Sequence, residues 1–320
     1  MSSKAKKCIL LLLVVSVMLI SLVGCRNGAS GETDRGSTTG AEDSVITGEG
    51  EETEVTVKVK TVSTENVEMD YIVFGNGEKS FVILPGLSVH SVMGLADSIA
   101  DAYKCFAEEY TVYLFDRPKA LQEGTTIRDL AASTAEAMKA VGIEKADIFG
   151  ASQGGMIAQY IAIDHPELVT KMILGSTLSK QNATFETVGK EWLSLAEKKD
   201  ENSLLEKFVD DIYSENTLNS FRNVLISSNT GITDEEYERL VILIKSCMTF
   251  DCYEELSAIQ CPVLVLGSEG DKVVTAEASK EIAEALNCEI YLYDASYGHG
   301  VYDEAPDYKQ RCMDFFAQTN

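Results

Sequence analysis

An α/β fold, with a mostly parallel central sheet flanked by helices and one helical insertion, is what this sequence predicts. Three observations lead there. Short apolar runs bounded by turn residues alternate with longer stretches of helical periodicity over much of the chain. The alternation stops between about residues 180 and 250, where only helical stretches occur, and it resumes at Pro262-Val263-Leu264-Val265-Leu266. Strand, turn, helix, strand is the repeating unit of a parallel sheet. At 320 residues and 45% apolar, the chain has ample material for a buried core.

Taken in order, the chain begins outside that fold. Lys4, Lys6 and Lys7 precede an uncharged apolar run over residues 8–23, which ends in Leu22-Val23-Gly24-Cys25. The run is shorter than the ~20 residues a helix needs to cross a bilayer, and it reads as a targeting segment. It resembles a bacterial lipoprotein signal with Leu22-Val23-Gly24-Cys25 as the lipobox. That resemblance implies removal of residues 1–24 and lipid modification of Cys25, with the protein anchored to the cell membrane and facing outside the cytoplasm; an uncleaved signal anchor is the alternative. Residues 25–54 are rich in Gly, Ser, Thr, Asp and Glu, with almost no large apolar side chains, so they are expected to form a flexible tether. Its root-mean-square reach would follow about 5–6 Å times the square root of its length.

The folded domain is expected over residues 55–320. Residues 55–62, with valine at alternate positions, and residues 68–74 read as opening strands; Gly75-Asn76-Gly77 is a turn, and Phe81-Val82-Ile83-Leu84 is a buried strand ended by Pro85-Gly86. A helix near residues 91–107, a strand at 111–115 and a helix at 127–141 follow. In the last of these, Leu130, Thr134, Ala137, Met138 and Val141 share one face. The strand at 146–149 leads into Gly150-Ala151-Ser152-Gln153-Gly154, and Met156, Ile157, Tyr160, Ile161 and Ile163 continue as an apolar helix until His165-Pro166. A strand at 171–174 precedes the insertion, about residues 180–250, in which Phe208, Ile212, Leu218, Phe221 and Leu225 recur at helical intervals. Beyond it come a strand at 263–266, a helix at 275–286, a strand at 289–293 and a last helix at 305–317.

The pentapeptide Gly150-Ala151-Ser152-Gln153-Gly154 is the most informative stretch. With glycine at roughly 7% of residues, a bare G-x-S-x-G arises by chance in about one chain in ten of this size, so its setting carries the weight. Here it sits between a strand and a helix, where a sharp turn holds a serine in a strained backbone conformation and small neighbours let the chain pass closely.

Three further landmarks fall in a consistent order around it: Leu84-Pro85-Gly86-Leu87, Gly267-Ser268-Glu269-Gly270-Asp271 and Gly298-His299-Gly300. Together these residues resemble the α/β-hydrolase family over roughly residues 68–316. The triad order in that family is serine, acid, histidine. Of three histidines, His90 precedes the serine and His165 closes its helix, which leaves His299 as the base for Ser152. The orienting acid belongs on a loop after a strand, which favours Asp271, with Glu269, Asp251 and Asp294 as alternatives. By the same resemblance, the main-chain amides of Leu87 and Gln153 would form the oxyanion hole. Two departures touch loop shape: Pro85 stands where the family more often has histidine, and Asp116-Arg117-Pro118 lacks the glycines that many members carry there. The Leu87 amide survives the proline.

The resemblance implies a serine hydrolase working through an acyl-enzyme on Ser152, a carboxylesterase above all, with a small-molecule acyl substrate and neither metal nor organic cofactor. A serine nucleophile speaks against the dehalogenase and epoxide hydrolase branches. The insertion would form a cap, with Phe185, Trp192, Tyr213 and Phe250 either lining an acyl pocket or packing helices together. An aminopeptidase of the proline-iminopeptidase type is a second possibility, with Glu186, Glu191, Glu235 or Glu236 gripping an amine. A surface binding lipoprotein without turnover is a third. A net charge of −24 argues against nucleic acid as a partner, because phosphate recognition rests on clustered Lys and Arg. Six cysteines lie beyond the tether without metal-site spacing, and they are expected as buried free thiols.

Overall fold

The computed structural model describes residues 56–319, so the expected signal segment and the whole of the tether, Cys25 included, lie outside the described residues. The strands are β1 (Lys58–Ser63), β2 (Glu68–Phe74), β3 (Lys79–Leu84), β4 (Tyr110–Pro118), β5 (Ala146–Ala151), β6 (Val169–Gly175), β7 (Val263–Ser268) and β8 (Glu289–Tyr293). The helices are α1 (Ala96–Ala102), α2 (Ile127–Ala140), α3 (Gln153–Asp164), α4 (Ala183–Glu197), α5 (Glu201–Ile212), α6 (Glu215–Ser228), α7 (Asp234–Met248), α8 (Thr275–Leu286), a single turn α9 (Val301–Glu304) and α10 (Tyr308–Ala317). One sheet runs in the order β1-β2-β4-β3-β5-β6-β7-β8. Pairing is antiparallel for β1 with β2 and for β2 with β4, and parallel everywhere else.

This is the expected α/β architecture, and its central strands explain why their sequences read as continuous apolar runs. Every residue of β5 and β7 is buried, as in a parallel sheet covered by helices on both faces. The helix at 127–141 forms because Thr126 and Asp129 cap each other reciprocally across its first turn, while Leu130, Thr134, Ala137 and Met138 are buried on one face. Four helices, α4 to α7, occupy the chain between β6 and β7. Strand order reverses around β3, which lies between β4 and β5, and in such sheets the crevice at the carboxyl ends of the strands is the usual ligand site.

Local expectations differ from the structure at four places. The alternating valines of the first strand do not mark its buried face: Val59 is 51% exposed, whereas Val62, on the other face, pairs with the fully buried Met69. β1 is an edge strand, so periodicity alone could not say which face meets the core. The helix expected at 91–107 is broken into a 3-10 turn at Val92–Leu95, the two-turn α1 and a second 3-10 turn at Lys104–Phe106. Phe106 there packs against Phe81, Tyr103, Tyr110 and Phe316, and this aromatic cluster outweighs helix continuity. β4 extends beyond residue 115 through Asp116 and Arg117, both buried, because other elements supply their partners. The last helix begins at Tyr308, with Pro306 separating it from α9.

The six cysteines within the described residues are unpaired, with Cys247, Cys252 and Cys312 buried, Cys261 and Cys288 half-buried and Cys105 exposed. Among the described residues no helix is long and apolar enough to cross a membrane.

Asp147 on β5 supplies a test of the fold's electrostatics. It is buried, its Oδ2 accepts a hydrogen bond from the Tyr110 hydroxyl at 2.9 Å, and its Oδ1 has no hydrogen-bond partner among the described residues. Burial raises its pKa above the ordinary aspartate range, against the opposing pull of Tyr110 and nearby lysines. A carboxyl whose folded pKa is raised binds its proton more readily in the native state, so stability is lost as pH rises through that window. Asp147→Asn keeps an acceptor for Tyr110 and removes the charge. Its urea midpoint is expected to equal or exceed the wild-type value at pH 7, with that advantage shrinking toward pH 3.

Candidate active site

Ser152 stands between β5 and α3 with φ 50° and ψ −117°, a conformation an L-residue adopts only when its surroundings impose it. They do so on both sides. The Ser152 amide donates to the Gly175 carbonyl at 2.8 Å, and its own carbonyl accepts from the Gly155 amide at 2.9 Å and the Thr177 hydroxyl at 2.8 Å. The flanking glycines permit this closeness: a Cβ on Gly150 would lie 2.5 Å from the Gly154 carbonyl oxygen, and one on Gly154 would lie 1.9 Å from that of Leu84. The turn therefore rests directly on the carboxyl end of β3.

His299 and Asp271 arrive from elsewhere in the chain. His299 Nε2 lies 3.0 Å from Ser152 Oγ, and His299 Nδ1 lies 2.9 Å from Asp271 Oδ2. A carboxylate only accepts, so Nδ1 carries the ring proton and Nε2 presents its lone pair to the serine hydroxyl. Asp271 follows β7, and its Oδ1 accepts from the Val273 and Val274 amides at 2.8 and 2.9 Å. His299 is 2% exposed and Asp271 7%. Burial on its own would raise the Asp271 pKa, but the electrostatic pull of the His299 ring, its hydrogen bond and the two amides outweigh that, and the net shift is downward. The carboxylate is thus held ionised.

The alternative acids are engaged elsewhere. Asp294 Oδ1 accepts from the Ser296 amide at 2.8 Å, Asp251 Oδ1 accepts from the Tyr253 amide at 3.1 Å, and Glu269 is exposed. The other histidines also have separate partners: His90 bridges Glu236 and the Asn229 carbonyl, and His165 lies 3.7 Å from Glu167.

Leu87 and Gln153 flank the serine from two directions. Gln153 opens α3, so its amide has no acceptor within the helix. Leu87 follows Gly86, whose Cβ position would be 3.4 Å from Ser152 Cβ, and its amide donates to no backbone carbonyl among the described residues.

Three residues to which the sequence assigns no role support this arrangement. Glu304 accepts from the Gly298 amide at 2.7 Å and the Ser214 amide at 2.8 Å, tying the His299 loop to the helical insertion. The Ser268 hydroxyl donates to the Tyr297 carbonyl at 2.6 Å and accepts from the Gly270 amide at 3.1 Å, joining the Asp271 loop to the His299 loop. Arg117 donates to the Gln153 side chain and to the Pro85 carbonyl. None carries a local signal for this role, since each also needs a partner far along the chain: Glu304 needs Ser214, Ser268 needs Tyr297, and Arg117 needs Gln153.

In the insertion, Phe185, Trp192 and Phe250 are buried, Trp192 against Phe208 with its Nε1 donating to Asp211 at 2.8 Å, so they pack helices together. Tyr213 differs, because its ring lies against Gly300, beside His299. Glu186 and Glu191 pair with Lys190 and Lys207, Glu236 caps α7 and meets His90, and Glu235 is exposed.

Comparison with known proteins agrees with this architecture. A family model described as the alpha/beta hydrolase fold matches residues 79–306. The chain is 24% identical over 187 residues to the pyrrolizixenacetamide deacetylase of Xenorhabdus hominickii, covering 57% of this chain and 68% of that one. It is 23% identical over 219 residues to a putative carbamate hydrolase, RutD, of Caulobacter sp. (strain K31), covering 65% and 81%. Among solved structures it resembles MGS-M2, an alpha/beta hydrolase from a Medee basin deep-sea metagenome library. That likeness has a TM-score of 0.73 and 21% identity over 82% of this chain and 98% of that one. With most of its length matched by the family model and the sheet order on the page, the chain belongs to the α/β-hydrolase fold family.

Proposed function

We propose that the protein is a serine hydrolase, a carboxylesterase that acts through an acyl-enzyme on Ser152, with His299 as base, Asp271 as orienting acid and the Leu87 and Gln153 amides as oxyanion donors. The observation that carries this is the hydrogen-bonded line from Asp271 through His299 to a serine held at φ 50°. Asp271 keeps His299 in the tautomer whose Nε2 can accept a proton. As Ser152 Oγ attacks the acyl carbon, its proton passes to Nε2, and the carbonyl electron pair moves onto oxygen, where two amides meet it. Collapse expels the alkoxide, which takes the proton back from Nε2. Water then repeats the sequence on the acyl-enzyme: its proton goes to Nε2, and Ser152 Oγ leaves and is reprotonated.

A fluorophosphonate probe tests the assignment. The folded wild-type protein is expected to gain one phosphonyl group on Ser152, the mass of the probe less that of hydrogen fluoride, and to hydrolyse short p-nitrophenyl esters. Absence of both would leave a binding protein and sink the proposal.

We further propose that the enzyme works outside the cytoplasm, anchored through lipid on Cys25, on the strength of Lys4, Lys6 and Lys7 preceding an apolar run and Leu22-Val23-Gly24-Cys25. Mass spectrometry of the mature protein from membranes decides this, and an unmodified Cys25 or a retained Met1 would refute it.

A further inference from the structure

The mechanism above uses the main-chain amide of Gln153 and leaves its side chain unexplained, although that side chain is 1% exposed and bonded at both ends. Its Oε1 accepts from Arg117 Nε at 2.9 Å. Its Nε2 donates to the Leu243 carbonyl at 3.2 Å and to Cys247 Sγ at 3.1 Å, both on α7 of the insertion. The same guanidinium reaches the other oxyanion element: Arg117 Nη2 donates to the Pro85 carbonyl at 2.6 Å and approaches the Gly86 carbonyl at 3.5 Å. The firm bond anchors the peptide next to the one that carries the Leu87 N–H, and the Gly86 carbonyl within reach of the same guanidinium shares a planar peptide with that N–H, so this anchor bears on where the N–H points. One side chain therefore bears on both donors.

Arg117 is 4% exposed, and its acceptors are an amide oxygen and carbonyls. The neighbouring carboxylate is committed elsewhere. Asp116 Oδ1 accepts from the Arg117 amide and from Arg239 Nη2, both at 2.7 Å, and Oδ2 accepts from Ser91 Oγ at 2.5 Å. Burial pulls the guanidinium down to about 10 against the attraction of the Asp116 charge, and it remains a cation at neutral pH. A stitch between loops has no need of a buried charge, which is costly. A cation fixed by neutral acceptors beside a site of developing negative charge does have a use. Arg239 lies on α7, so both ends of the network, Gln153 and Asp116, terminate on the same helix of the insertion.

We propose that Arg117 is a positioning residue for the oxyanion hole, and that its network with Gln153, Asp116 and Arg239 makes alignment of both donors depend on the seating of α7. The proposal rests on the serine-hydrolase reading.

Its test separates transition-state alignment from mere stability. In full-length protein, kcat is measured per site titrated with fluorophosphonate. KM is measured with a p-nitrophenyl ester. Affinity is measured for a trifluoromethyl ketone, which forms an oxyanion on serine, and for the matching alcohol, which does not. Arg117→Met is expected to lower kcat per titrated site about 10- to 100-fold, less than the roughly 10²- to 10³-fold cost of deleting an oxyanion donor outright. KM stays unchanged, ketone affinity falls with kcat, and alcohol affinity holds. Arg117→Lys, a point charge without the planar fork, falls between. Arg239→Met reproduces the pattern more weakly, and combining it with Arg117→Met adds less than its separate effect, as expected for residues in one network. Arg128→Met, which removes exposed ion pairs with Asp164 and Glu255 and a cation–π contact on Tyr160, all away from the Ser152 turn, leaves kcat intact.

Unchanged kcat per site, or equal losses of ketone and alcohol affinity, would overturn the proposal while leaving the hydrolase assignment standing. If Arg117→Met does not fold, Arg117→Lys and Arg239→Met decide by the same criteria. A wild-type protein that neither labels nor turns over would remove both proposals together.

Discussion

Ser152→Ala is expected to abolish labelling by a fluorophosphonate and to cut kcat on short acyl esters by roughly 10⁴- to 10⁶-fold, with His299→Ala close behind. The two losses should be similar and far from additive. A serine hydroxyl without its base does not give up its proton in the transition state, and a base without the hydroxyl has no nucleophile to serve. The double variant Ser152→Ala/His299→Ala should therefore be little worse than either alone. Because the main chain of Ser152, not its hydroxyl, makes the contacts that hold the turn, alanine there leaves them in place, and the folded state should persist by circular dichroism. Near-wild-type turnover in either single variant would end the proposed mechanism.

The second large effect concerns Asp271. Asp271→Asn preserves size, and its oxygen is expected to stay on the Val273 and Val274 amides, because those two donors require an acceptor. The new amide nitrogen then faces His299 Nδ1 and donates to it. That places the ring proton on Nε2, opposite the serine hydroxyl, where it cannot accept. A loss in kcat of about 10³- to 10⁴-fold follows, with KM little changed. A stability signature accompanies the kinetic one. A carboxyl whose folded pKa is depressed contributes stability above its unfolded pKa and loses it as pH falls through the folded value. Asp271→Asn should remove that contribution, so its thermal midpoint should approach the wild-type value under acid conditions. If Asp271→Asn retained full kcat, another acid would have to be sought.

The order of elements was legible because it rests on local patterns. Buried parallel strands such as β5 and β7 read as unbroken apolar runs, and Leu130, Thr134, Ala137, Met138 and Val141 mark a helix by falling on one face. Where a segment's character depends on what lies opposite, the sequence misled. Asp116 and Arg117 look like a turn after residue 115, but they continue β4 because Arg239 and Gln153 come from far along the chain to meet them. The break in the helix expected at 91–107 has the same cause, an aromatic cluster assembled from distant residues.

From its sequence alone this chain specifies an α/β sheet with an inserted run of helices, a serine at a strand-to-helix turn, and one histidine in the order the chemistry requires. Those features are local or ordinal, and turn chemistry, apolar period and chain order suffice to encode them. Only the tertiary structure decided which of four carboxylates meets His299, and only it brought Arg117, Gln153, Ser268 and Glu304 into contact with the loops around Ser152. A hydrogen bond needs its partners within about 3 Å and at a suitable angle. Residues separated by tens of positions acquire that geometry only when the sheet places the ends of β3, β4, β5 and β7 along one edge.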